Sequence, residues 1–202
     1  MNRFIDLTTE QIKQKFSVNI PGALEVLWQP FYDMQVYAAA GQTIMTFFQN
    51  PVGQAGRTLF DTNMQTAGVF PSMQNFLATG IQLEFQPGVL TTDADYPLDV
   101  RAVSYGGYVE FNVGNKNFNR DAPVGKYPPQ YRLDFFSSLD ASAAPAQSNY
   151  AQARGAYYEI TPTMIPSNQN FNVTINWPAA VPVSAAGTIR CTLDGYLIRA
   201  AQ

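Results

Sequence analysis

The feature that most limits what this chain can fold into is an alternation of apolar and polar side chains with a period of two. Over residues 76–85, Leu77, Ile81, Leu83 and Phe85 share one phase with Thr79, while Ala78, Gly80, Gln82 and Glu84 take the other. Successive side chains of an extended strand point to opposite faces, so such a segment buries one face and wets the other. Val109, Phe111 and Val113 oppose Glu110 and Asn112 in the same way, and Phe171, Val173, Ile175 and Trp177 oppose Asn172, Thr174 and Asn176. Over residues 188–199, Ile189, Cys191, Leu193 and Leu197 alternate with Arg190, Thr192, Asp194 and Tyr196. Weaker runs at 43–49, 116–121, 131–136 and 156–161 bring the expectation to about eight strands.

Proline- and glycine-rich segments at 50–56, 86–99, 121–129, 139–155 and 177–187 separate these runs, as expected of residues that fix φ or tolerate positive φ. The stretch 141–153, rich in Ala, Ser and Gln around Pro145, reads as a surface excursion. One helix is expected near the start, where Thr8 or Thr9 can cap and Ile12 and Phe16 stand four residues apart, ending before Pro21 and Gly22. Because no strand alternates with a long helix, antiparallel strands in two packed sheets are favoured over a parallel α/β sheet. The expected fold is therefore all-β, with a helix and arm over residues 1–42 and one sandwich domain over 43–202.

The chemistry open to such a domain is narrowed by one absence: the chain has no histidine. That removes the usual general base at neutral pH, the Ser-His and Cys-His nucleophile pairs and the commonest transition-metal ligand. Cys191 is the single cysteine, excluding an intramolecular disulfide, and it lies on the apolar phase of its strand. Charged and aromatic residues number 27 each, the net charge is −3, and the polar surface is carried largely by 30 Asn and Gln. No basic cluster is present to displace counterions from phosphates, so direct sequence-specific nucleic-acid binding is not expected. Residues 1–10 hold no signal-like apolar segment and no run is long enough to span a membrane, so synthesis in the cytosol is expected.

Three groups of residues are candidates for chemistry or recognition. Asp93, Asp95 and Asp99 lie within seven residues, an arrangement of oxygen ligands that a hard cation such as Ca²⁺ accepts, although the glycine and closing glutamate of an EF-hand loop are missing. Glu84, Glu110 and Glu159 fall in strand runs, and two of them brought together would form a glycosidase-like pair; placement on the wet faces is the simpler expectation. Tyr105, Tyr108, Tyr127, Tyr131 and Tyr150 would suit a sugar platform if exposed. No cofactor is expected. Asn172-Val173-Thr174 is an N-glycosylation sequon inside a strand run.

A short helix, about eight strand runs with long loops, and a closing pair at 170–178 and 187–199 together resemble the viral jelly roll, in which two four-stranded antiparallel sheets pack face to face. The resemblance covers residues 43–199 and is one of architecture, without a diagnostic motif. It implies a single eight-stranded jelly-roll sandwich, a virion location, and partners that are copies of the chain itself and other virion proteins. The role implied is structural, not enzymatic: a major capsid, vertex or cementing protein. A carbohydrate- or receptor-binding β-sandwich is the alternative. For a self-assembling subunit, the apolar loop residues Val69, Phe70 and Met73 around Pro71 are the expected contact, with a charge at Phe70 weakening assembly and sparing the fold.

Overall fold

The computed structural model describes residues 9–16, 18, 20–90, 93, 95–137, 148–154 and 158–201, with backbone only at 9, 131–137 and 148–154. Among them are two α-helices, α1 (Thr9–Phe16) and α2 (Asp95–Gly106), and eleven strands. These are β1 (Leu24–Trp28), β2 (Phe31–Tyr37), β3 (Ile44–Phe47), β4 (Gln74–Gln86), β5 (Tyr108–Val113), β6 (Lys116–Asp121), β7 (Tyr131–Ser137), β8 (Ser148–Arg154), β9 (Tyr158–Ile165), β10 (Phe171–Asn176) and β11 (Gly187–Ala200). All pairings are antiparallel, and the sheets form a sandwich-like arrangement.

In the first sheet β11 lies between β4 on one flank and β1 and β2 on the other, and β9 lies beyond β4. Leu24 faces Ala200 and Phe31 faces Leu193, so β1 and β2 hold one continuous register along β11. They are divided only at Gln29 and Pro30, where proline has no N–H to give the ladder. The second sheet runs β3-β10-β5-β6, and β7 and β8 form a separate hairpin. Between the two sheets lies a core that includes Phe31, Tyr37, Ile81, Leu83, Ile189, Cys191 and Leu193 from the first and Phe47, Val109, Phe111, Phe171, Val173 and Ile175 from the second.

The alternation at 109–113, 171–177 and 188–199 survives in the structure, but β4 corrects it. The β4–β11 register shifts between Asp194 and Gly195, which face Gly80 and Ala78, leaving Thr79 as the extra residue of a bulge. One inserted residue reverses every side chain beyond it. Phe76 and Ala78 therefore point into the main core with Ile81 and Leu83, whereas Leu77 turns to the outer face and packs with Ile12 of α1 and with Val18, Ile20, Tyr196 and Ile198. Thr79 is fixed there by its hydroxyl, which donates to the carbonyl of Asp194 at 3.2 Å. Gly195 is required at this seam: a Cβ would stand 2.1 Å from the carbonyl oxygen of Leu77.

Three further expectations change. The arm assigned to residues 1–42 supplies β1 and β2, so the boundary at 43 cuts through the first sheet. The excursion at 141–153 contributes, from Ser148 onward, the strand β8, and its earlier residues lie outside those described. The turn-rich segment at 86–99 contains the start of α2. With β1, β2 and β8 added, the eight expected strands become eleven.

Candidate interaction surface

One end of the sandwich gathers the connections β2–β3, β4–β5 and β10–β11 into a braced platform. The indole Nε1–H of Trp177 donates to the Val103 carbonyl in α2 at 3.2 Å, and the Tyr37 hydroxyl donates to the Val181 carbonyl at 2.7 Å. The backbone N–H of Val183 adds a bond to Ala39 at 2.9 Å. Gly41, with φ +81°, passes so close to Val181 that a Cβ would lie 2.6 Å from its backbone. α2 is pinned from below by Asp99, whose carboxylate accepts from the Ser184 backbone N–H at 3.0 Å and faces its hydroxyl at 3.4 Å.

Outward, this platform presents three large apolar side chains beside the exposed charges of Asp95 and Arg101. Leu98 and Tyr105, two turns apart on α2, are 59% and 73% exposed, and Leu90 just before the helix is 78% exposed. Large apolar side chains held out by a braced helix are candidates for contact with another molecule. Leu59 and Phe60 make a second exposed pair beside β2, where the Tyr32 hydroxyl donates to the Leu59 carbonyl.

The residues expected at a contact lie differently. Phe70 is 1% exposed, stacked on Phe171 with ring centroids 4.9 Å apart and in edge contact with Phe31. It is a core residue, and a charge there would unfold the domain instead of sparing it. Val69 is half-buried and Met73, at 47% exposure, is the open member of the three.

The acidic segment also divides among separate tasks. Asp93 accepts from the backbone N–H of Asp95 at 3.0 Å, Asp95 opens α2, and Asp99 turns inward to Ser184. Among the described residues no group of three or more His, Cys, Asp or Glu side chains could hold a metal ion. Nor do the glutamates converge: Glu110 pairs with Arg120 at 2.5 Å on the second sheet, Glu159 is exposed on β9, and Glu84 faces Arg190 across the first sheet. Of the tyrosines, Tyr105 is exposed, Tyr108 half-buried, and Tyr127 buried with its hydroxyl accepting from Asn119 at 2.6 Å. The side chains of Tyr131 and Tyr150 lie outside those described. Asn172, within the sequon, is held in its sheet by Asn112 at 3.2 Å.

Sequence reading missed the buried carboxylates. Asp33 is fully buried; it accepts from the Phe48 backbone N–H at 2.7 Å and from Gln35 at 2.9 Å, and Arg57 stands 3.2 Å away. Desolvation still holds its carboxyl above the ordinary range. Asp194 is 3% exposed, and burial, partly offset by the Gln82 amide, pushes its pKa up to about 6. Asp121 is lowered instead, by Lys126, the Ala122 N–H and the Tyr158 hydroxyl. Burial raises the Cys191 thiol well above its ordinary value, leaving it a core side chain instead of a nucleophile.

No known protein-family model matches the chain, and no curated protein matches it significantly in sequence. Among the described residues no helix is long and apolar enough to cross a membrane.

Proposed function

We propose that the chain is a structural subunit of a virus or phage particle, acting by self-assembly as a major capsid, vertex or cementing protein. The observation that carries the reading is the strand pairing. Counting β1 and β2 as one strand and setting the β7–β8 hairpin aside, eight strands remain, paired first with eighth, second with seventh, third with sixth and fourth with fifth. That is the order of one long antiparallel hairpin rolled into two four-stranded sheets, and it supports a jelly-roll topology. A fold does not by itself specify a function. The exposed Leu90, Leu98 and Tyr105 on a braced platform supply the separate support, because a subunit that packs against copies of itself needs apolar surface at defined positions.

The test is the solution mass of the purified chain by light scattering over a wide concentration range, with electron microscopy of anything large. Closed oligomers or particles are expected. Leu98→Asp and Tyr105→Asp, on side chains already facing solvent, should reduce assembly and leave the melting temperature unchanged. A chain that stays monomeric at high concentration, or assembly untouched by both substitutions, would sink the proposal.

A further inference from the structure

The outer face of the first sheet is not uniform. Near α1 it is apolar and covered, but toward the other end Arg190 and Thr192 on β11 stand beside Glu84 and Gln82 on β4. These four and Pro129 line a cleft of about 180 Å³. That is well below the roughly 300–1,000 Å³ of sites for drug-sized ligands and suits a single small ring.

The cleft is prepared for a polar guest. The Gln82 amide is fixed at both ends: its oxygen accepts from the Gln130 N–H at 2.6 Å and its nitrogen donates to Asp194 at 2.5 Å. Arg190 lies over the rings of Tyr32 and Phe60, 5.8 and 5.5 Å from their centroids, which orients its guanidinium. Its Nε is buried with no hydrogen-bond partner among the described residues. Directly opposite in the ladder stands Glu84, an acceptor.

Arg190 and Glu84 both line the cleft, and a donor and an acceptor in one lining match hydroxyl groups, each of which both donates and accepts. One cation and one carboxylate leave the lining without net charge, so an anionic guest gains from Arg190 and is repelled by Glu84. We infer that this cleft binds a neutral saccharide unit, with Arg190, Glu84 and Thr192 engaging hydroxyl groups and Pro129 packing against the ring. The inference goes beyond the shell reading and does not depend on it, since every lining residue belongs to one chain.

The experiment is saturation-transfer NMR and titration of the full chain with the methyl glycosides of glucose, galactose and mannose and with N-acetylglucosamine. Glucuronate and sialic acid serve as charged comparisons. At least one neutral sugar should bind saturably with a millimolar Kd. Glu84→Gln should weaken it about tenfold and Thr192→Val about threefold, at unchanged melting temperature. If Glu84→Gln fails to fold, Thr192→Val carries the same test. The inference is overturned if no neutral sugar binds at about 50 mM, if the acidic sugars bind in preference, or if binding survives both substitutions intact. Light scattering on the same samples reports assembly separately, so either reading can fail alone.

Discussion

The two halves of the first sheet's outer face differ in kind. Around Leu77, Tyr196 and Ile198 the face is apolar and α1 lies on it; around Gln82, Glu84, Arg190 and Thr192 it is polar and carries a cleft. Both halves are built from β4 and β11, and no loop or domain boundary separates them. On β4 the divide is Thr79: before this bulge the odd-numbered Leu77 faces outward, and after it the odd-numbered Ile81 and Leu83 face inward. A bulge thus lets one strand alternate for two surfaces in succession, a helix seat and then a polar face.

The most damaging way to break this arrangement is to fill the seam. Gly195→Val would place a Cβ 2.1 Å from the Leu77 carbonyl oxygen and 2.7 Å from the ring of Phe76. Backbone oxygen cannot rotate away as a side chain can, so the strands must separate. A loss of about 4 kcal/mol or more is expected, enough for poor expression or a melting temperature lower by about 10 °C. Next in size is Leu77→Ala, which empties the seat of α1 while leaving the main core intact. It should lose about 3 kcal/mol by chemical denaturation. Hydrogen exchange should speed up in Thr9–Phe16 and stay slow in β10. Equal loosening of both regions would show that the helix seat and the main core are one cooperative unit and that the comparison is false.

Strands with an unbroken apolar phase were legible in the sequence, and β2, which buries a charge, was not. β10 and β11 read correctly because Phe171, Val173 and Ile175, and Ile189, Cys191 and Leu193, keep a clean phase. β2 hid because Asp33 sits on its buried phase between Phe31 and Tyr37, and the partners that make this tolerable, Phe48 and Arg57, come from residues 15 and 24 positions away. α2 hid for a similar reason: its fully buried residues are Asp99 and Val103, so it shows no apolar stripe, and Pro97 in its first turn reads as a breaker. A Pro-flanked loop suggests an exposed Phe70, yet Phe48, Met64 and Phe70 from this stretch all enter the main core. The cleft was invisible for want of register, which alone sets Glu84 opposite Arg190.

The smallest expected effect concerns Asp194, which lies on the outer face at the seam between the halves. Burial raises its pKa from 3.8 in the unfolded chain to about 6 in the fold. Between those values the folded state holds a proton that the unfolded state has released. Its contribution to stability is therefore fully present below about pH 4 and is lost as pH rises through about 6, by at most about 3 kcal/mol. Asp33, also raised, acts with the same sign, while Asp61 and Asp121, whose carboxyls are lowered, act oppositely. The informative quantity is thus the difference between Asp194→Asn and the unsubstituted chain. Asparagine keeps an oxygen for the Gln82 amide and carries no charge to desolvate. The variant should melt higher at pH 7 by several degrees and lose that advantage below pH 4. A gap that stays constant across the range would mean that Asp194 is hydrated in the fold, and that water reaches the seam from the polar half.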